Sequence, residues 1–138
     1  MARPRKGIKY YLQLEAELKA AIEEMNYGTS LVVVEGKHDE DALRKIGLKS
    51  PVVQFCNCWI PVFAFVDGIV EGYRGSTVAV LLDFDEEGRK MGERLSKELE
   101  ERGVKVDHFH RKRLAEILTK EGVFRIEELA QIISRASE

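Results

Sequence analysis

Two short segments of the sequence place carboxylates where they could hold a metal ion. Glu35 directly follows a leucine and three valines, and Asp83 and Asp85 directly follow a second apolar run, with Glu87 continuing the pattern. Carboxylates crowded into one crevice repel one another, and a hard divalent cation such as Mg²⁺ removes that penalty. Such a cation can also bridge to a phosphate and activate a water. The pattern therefore predicts phosphoryl-transfer chemistry with Glu35, Asp83 and Asp85 as catalytic residues and with these three and Glu87 as metal ligands.

A plainer alternative is that these acidic residues only cap helices. An acidic residue that follows a strand is often the cap of the next helix, and this alternative stays open for Asp83 or Asp39 taken singly. The joint pattern favours a site, because an ionised Glu35 next to three valines is costly unless it is solvated or paired.

The elements that must position these carboxylates follow from the hydrophobic periodicity. Helices are predicted at 8–28, 39–46, 61–72, 86–102, 111–121 and 125–135. Strands are predicted at 31–34, 52–55, 77–82 and 104–109. Continuous apolar strands that alternate with helices predict an α/β fold, a Rossmann-like parallel four-stranded sheet flanked by helices. Ligands of such sheets bind beyond the carboxyl ends of the strands.

Length and composition restrict the class of protein. A chain of 138 residues predicts one domain, and a formal net charge of −2 requires any nucleic-acid contact to use local basic patches. Cys56 and Cys58 are too close for an unstrained disulfide, which favours a reduced, cytoplasmic location, and their spacing alone is weak support for zinc. No signal peptide or membrane span is expected, since the apolar stretch 52–70 is interrupted by polar residues.

Basic residues flank the acidic segments. Lys37 and His38 follow Glu35, and Arg89 and Lys90 follow Asp85, so both pairs are candidates to contact phosphates. The densest basic cluster follows the last predicted strand and contributes four further candidate nucleic-acid-binding residues, His110, Arg111, Lys112 and Arg113. Strand alternation would put His108 and His110 on one face, and a basic arm at 1–7 could add to the patch. Solvated surface charge is the alternative for all of them.

The aromatic residues around the second strand have two interpretations. Phe55, Trp59, Phe63 and Phe65 lie in an unusually apolar stretch. Core packing is the simpler explanation, and a contact between subunits is the other.

The two acidic segments, taken in order, resemble the Toprim domain. The first reads Val-Val-Val-Glu-Gly-Lys-His-Asp-Glu-Asp-Ala-Leu, and the second reads Asp-Phe-Asp-Glu-Glu-Gly-Arg. This domain is shared by type IA and type II topoisomerases, bacterial primases, OLD-family nucleases, RecR proteins and the nuclease that matures 5S ribosomal RNA. The resemblance covers about 29–110, which leaves 1–28 as a basic arm and first helix and 111–138 as C-terminal helices packed on the same domain.

The resemblance implies roles for individual residues. Glu35 matches the family's glutamate, a general acid/base or metal ligand, and Asp83 and Asp85 match the magnesium-binding pair. Glu87 matches a third acidic position of topoisomerases. No tyrosine of this chain lies in a recognisable nucleophile context, so topoisomerase activity by this chain alone is not expected.

Three functions are compatible with these features. The first is Mg²⁺-dependent processing of RNA or DNA by phosphodiester cleavage or a related phosphoryl transfer, with Mn²⁺ as an alternative metal. The second is a metal-dependent nucleic-acid-binding module without its own chemistry, working with protein partners in a nucleoprotein assembly. The weakest is primase-like nucleotidyl transfer, since no glycine-rich phosphate loop of the Gly-X-X-X-X-Gly-Lys type is present. The sequence leaves the oligomeric state open.

Overall fold

A computed structural model describes residues 7–56, 60–129 and 131–132. Within them the strands are β1 Leu31–Val34, β2 Val52–Gln54, β3 Thr77–Leu81 and β4 Lys105–Asp107. The helices are α1 Ile8–Gly28, α2 Lys37–Lys45, α3 Val62–Tyr73, α4 Glu86–Glu101, α5 Phe109–Thr119 and the short 3₁₀ turn Ile126–Glu128. Residues 1–6 of the predicted arm, Cys58 and Trp59, and the end of the last predicted helix lie outside the described residues.

The four described strands form one parallel sheet in the order β2-β1-β3-β4, which confirms the predicted fold class. β1 and β3 are neighbours at its centre, with Val34 opposite Leu81. Their side chains alternate between two apolar layers. Val32 and Val34 face a core with α1, α2 and α5, whereas Val33 faces a second core with α3 and α4. Because helices cover both faces of the sheet, the sequences of these strands are unbroken runs of apolar residues.

The first helix after β1 begins two residues earlier than predicted. Lys37 is its first residue and Gly36 is its N-cap. The backbone N–H of Gly36 donates to Asp39 Oδ2 at 3.0 Å, which satisfies an amide that would otherwise lack a partner at the helix start. The chain therefore turns into α2 immediately after Glu35, and this fixes Glu35 at the end of β1.

The fourth strand is shorter than predicted. β4 ends at Asp107, which pairs with Ala79 rather than with the end of β3. The Asp107 carboxylate accepts hydrogen bonds from the backbone N–H groups of Phe109 and His110 and so starts α5. Strand alternation therefore does not govern His108 and His110, and the prediction that they share a strand face is wrong.

α5 packs antiparallel to α1. His110, near the start of α5, lies against Gly28 at the end of α1, and the Tyr10 hydroxyl at the start of α1 donates to Glu121 just after α5. The end of α5 therefore returns the chain towards the carboxyl edge of the sheet. There the N–H of Phe84 donates to the Phe124 carbonyl at 2.7 Å.

The aromatic stretch divides between core and surface. Phe65 is buried and stacks edge-on against Phe55 at 5.0 Å, whereas Phe63 is 68% exposed. Of the helices that the structure describes, none combines the length and the apolar character that crossing a bilayer would require.

Candidate acidic crevice at the sheet edge

The acidic residues singled out from the sequence meet in one place. Glu35 follows β1, and Asp83 lies two residues beyond the end of the neighbouring β3. Together with Asp85 and Glu87 they line an open cavity with a volume of about 740 Å³. We call this cavity the acidic crevice. It lies beyond the carboxyl ends of the strands, where ligands of parallel sheets bind. The roles of these four residues as ligands or catalysts stay predictions.

Asp85 is also the cap of α4. Its Oδ1 accepts the backbone N–H of Gly88 at 2.8 Å, so the capping role considered for Asp83 or Asp39 is filled at this helix by Asp85. A carboxylate has about four lone-pair positions, and one hydrogen bond leaves others for a ligand. The two interpretations of Asp85 therefore do not exclude each other.

Asp83 is the most strongly perturbed carboxylate of the crevice. Its Oδ1 accepts the backbone N–H of Ile126 at 3.0 Å, so the segment after α5 closes over it. Burial raises the pKa of Asp83 from 3.8 to about 6, and the charges of Asp39, Glu35 and Asp85 add to the rise, whereas the Ile126 hydrogen bond opposes it. An unfavourable charge in a cleft is a common mark of a functional site.

Asp39 lines the crevice, although the sequence indicates only a cap or turn role for it. It is 7% exposed, and burial raises its pKa, with Glu35 and Glu127 adding while hydrogen bonds from Gly36 and Glu127 oppose. Its capping role is readable from the spacing Gly36-X-X-Asp39. Its position in the cavity wall depends on the tertiary packing of α2 against 126–128, which no local pattern shows.

Cys56 contacts the acid that ends β1. Its Sγ lies 3.6 Å from Glu35 Oε1, and burial raises the pKa of the thiol, with the Glu35 charge and hydrogen bond adding. A raised pKa keeps the sulfur protonated at neutral pH, so Cys56 is a hydrogen-bond donor here and a poor nucleophile.

Only two of the four basic residues predicted beside the acids line the crevice. His38 and Lys90 line it, whereas Lys37 and Arg89 are neighbours in sequence that are not among its described lining. Two arginines and a glutamate that are not predicted from the sequence also line the crevice, namely Arg94, Arg125 and Glu127. Arg125 and Glu127 lie far from the acidic motifs in sequence, and only the packing of the C-terminal segment brings them there.

The basic cluster at 110–113 does not line the crevice. The His110 ring forms a hydrogen bond with Asp107, and the Arg113 guanidinium donates to Glu24. Lys112 is exposed. None of these four residues appears in the described lining of the crevice. The cluster follows a strand that stops short of the sheet edge, and His110 and Arg113 face α1. Its role in nucleic-acid binding stays a prediction.

Arg111 supports the end of β3. Its guanidinium donates to the carbonyl oxygens of Leu82 and Asp83 at 3.5 and 3.3 Å and lies 5.1 Å from the Phe84 ring centre. Burial lowers its pKa, as expected for a desolvated cation. Arg111 thus contacts the backbone of Asp83 rather than its carboxylate.

We expect Arg111→Ala to lower the free energy of unfolding by about 1 to 2 kcal/mol, because it removes two weak hydrogen bonds and a cation–π contact. Urea unfolding followed by circular dichroism measures the change. Lys112→Ala, at the exposed neighbouring position, should remain within about 0.5 kcal/mol of wild type. Equal effects of the two substitutions would contradict the supporting role of Arg111.

The donor set suits a hard cation. The acids lining the crevice offer oxygen ligands, the type that Mg²⁺ binds. Among the described residues, no three His, Cys, Asp or Glu side chains form a ready-made metal-binding group. Mg²⁺ usually keeps several waters and uses one or two carboxylates with substrate phosphates, so an open cavity lined by carboxylates suits it. Zinc sites use three or four protein ligands, most often His and Cys.

The fold and crevice together define a class, an α/β protein with a candidate ligand site at the carboxyl edge of a parallel sheet. A UPF0292 protein of Methanocaldococcus jannaschii is 30% identical over 124 residues, 90% of each chain, and one of Pyrococcus horikoshii is 28% identical over 127 residues, 92% of each chain. The protein therefore belongs to the UPF0292 family.

One solved structure adds support for the fold. A putative protein from Aquifex aeolicus has a TM-score of 0.59 and 26% identity, covering 91% of this chain and 99% of its own. No protein-family model matches the sequence.

Proposed function

We propose that this protein is a cytoplasmic, Mg²⁺-dependent enzyme that cleaves or transfers phosphodiesters of RNA or DNA. The observation that carries the proposal is that Glu35, Asp83 and Asp85, from two neighbouring strand ends, line one open cavity together with basic side chains. The resemblance of both acidic motifs to the Toprim domain points to the same chemistry.

The chain's own residues have distinct tasks in this proposal. Asp83 and Asp85 would hold the cation, and Glu35 would accept a proton from the attacking water or serve as a further ligand. When bound, Mg²⁺ supplies charge stabilisation to the phosphoryl group and lowers the pKa of a bound water. Ile126 orients Asp83 through its N–H, and Gly88 orients Asp85 in the same way. His38 at the cavity wall can position the backbone phosphates, and Lys90 can do so by exchanging its exposed Glu86 partner for a phosphate.

The test is turnover of structured and single-stranded RNA and DNA by the purified protein with Mg²⁺ or Mn²⁺. We expect Glu35→Gln, Asp83→Asn and Asp85→Asn each to lower the rate by roughly 100-fold or more, because each removes a group that acts on the developing charge. Glu101→Gln is the matched control, since this exposed residue ends α4 and is not in the described crevice lining. Turnover that survives Asp83→Asn, or that needs no divalent metal, would refute the proposal.

A non-catalytic binding module is the second candidate. In it, the acids of the crevice hold a cation only to bridge the protein to phosphates, and the basic side chains of the cavity wall make the remaining contacts. Salt-dependent binding of nucleic acid without any cleavage, in the presence of metal, would establish it instead. An affinity for nucleic acid that does not change with salt concentration would exclude phosphate contact as the driving force of binding.

A further inference from the structure

We propose that Arg125 binds a phosphate of the nucleic-acid substrate, so that the segment after α5 is part of the site. The inference rests on the function proposed above and extends it beyond the two acidic motifs. It assigns substrate binding to a segment that lies outside the range of the Toprim resemblance.

The backbone on both sides of Arg125 is fixed to the acidic motif. The Phe124 carbonyl accepts the N–H of Phe84 at 2.7 Å, and the Ile126 N–H donates to Asp83 Oδ1 at 3.0 Å. Arg125 lies between these two bonds in an extended conformation, with φ −116° and ψ 133°. Its Cα is therefore held beside Asp83, although the two residues are far apart in sequence.

The side chain is also available for a ligand. Arg125 is exposed and lines the crevice. The two other lysine or arginine side chains in the described lining already have partners, since Lys90 pairs with Glu86 at 3.0 Å and Arg94 with Glu98 at 3.6 Å. Arg125 has no ion pair with any residue that the structure describes.

Charge explains why the site needs such a residue. Six acidic residues line the crevice against three lysines and arginines, so a phosphodiester approaching it would be repelled. A divalent cation offsets part of that charge, and an arginine at the wall offsets more. The guanidinium fork matches phosphate oxygens in a bidentate arrangement, which a lysine cannot reproduce.

Binding of a short fluorescent single-stranded oligonucleotide, as RNA and as DNA of one sequence, tests the inference. Anisotropy is measured in Mg²⁺ over a range of salt, in a Glu35→Gln background that prevents turnover. We expect Arg125→Ala to weaken binding roughly 10-fold and to lower the slope of log affinity against log salt by about 0.7, the loss of one phosphate contact on a single strand. Arg125→Lys should keep the slope and lose part of the affinity.

Lys120→Ala is the matched control. Lys120 is exposed, carries the same charge and is not in the described crevice lining, so its removal should leave affinity and slope unchanged. If Arg125 served only to neutralise the acids, Arg125→Ala would bind Mg²⁺ more tightly. The slope of log oligonucleotide affinity against log salt would then stay unchanged. That result would overturn the inference.

The outcomes separate the two proposals. If Arg125→Ala binds both oligonucleotides like Lys120→Ala, the inference about Arg125 fails, while metal-dependent turnover that is lost in Asp83→Asn would still support the proposed function. If the parent protein binds neither oligonucleotide and turns over no substrate, both proposals are overturned.

Discussion

Replacing Gly88 with alanine is expected to lower the Tm by roughly 10 °C, corresponding to about 3 kcal/mol of stability. A Cβ at this position would stand 2.3 Å from the Asp83 carbonyl oxygen and 2.9 Å from the Asp83 nitrogen. Both neighbours are backbone atoms just beyond the end of β3, so neither can rotate away. Either the first turn of α4 or the Asp83 backbone must shift, and the strain appears as lost stability.

The same substitution should also damage the crevice. Gly88 donates its N–H to Asp85 and touches Asp83, so a shift here displaces both acids at once. We expect Mg²⁺ affinity, measured by calorimetry on the folded fraction, to fall with the Tm. The close approach gives a physical reason for glycine at the end of the acidic motif, where any side chain would collide with the backbone of Asp83.

Gly92→Ala on the same helix is the control. A Cβ there would meet only Val80 Cγ1, at the ordinary contact distance of 4.0 Å. Because alanine favours helix over glycine by about 1 kcal/mol, this variant should be as stable as wild type or slightly more so. A Gly88→Ala protein no less stable than Gly92→Ala would show that the packing of α4 on Asp83 is looser than described.

The central features of the molecule are predictable because they depend on local pattern. The unbroken apolar runs of β1 and β3 predict a doubly covered parallel sheet, and the rule for strand ends then places Glu35 and Asp83 at one edge. Neither step needs knowledge of distant contacts. The pattern of apolar and acidic residues therefore predicts that these carboxylates share one edge of the sheet. Their closeness also requires β1 and β3 to be neighbours, which the structure shows and the local pattern does not.

The other parts of the site depend on tertiary packing. Arg125 reaches the crevice because α5 runs back along α1 and the chain then bonds to Phe84 and Asp83. No periodicity indicates such a return. The basic cluster at 110–113 is the converse case. Because it follows the last predicted strand, it would lie at the crevice only if that strand reached the carboxyl edge of the sheet. β4 ends at Asp107, whose carboxylate accepts N–H groups at the start of α5, and such a residue cannot be told from a strand residue when the run is short.

Asp83→Asn is expected to make the metal-free protein more stable at pH 8, by about 1 to 2 kcal/mol after allowance for solvent screening. The folded state holds the Asp83 proton more tightly than the unfolded chain, with a pKa of about 6 against 3.8. Protonation therefore favours folding. Ionised Asp83 therefore destabilises the folded state by the full amount above about pH 6. This destabilisation disappears as the pH falls through 6 towards 3.8.

Asparagine keeps the shape and can still accept the Ile126 N–H, so the substitution removes the charge and little else. Thermal unfolding in the presence of a chelator should show a higher Tm for Asp83→Asn than for wild type at pH 8. Near pH 4 the two Tm values should be equal. Asp85→Asn is the contrasting variant, because Asp85 caps α4 and its charge is favourable at a helix N-terminus. Asp85→Asn should be no more stable than wild type at pH 8. If Asp83→Asn were also no more stable than wild type, the crevice would not destabilise the ionised form of Asp83. A carboxylate that costs the empty protein stability, and ceases to do so when a cation shares its charge, is what a binding site for such a cation requires.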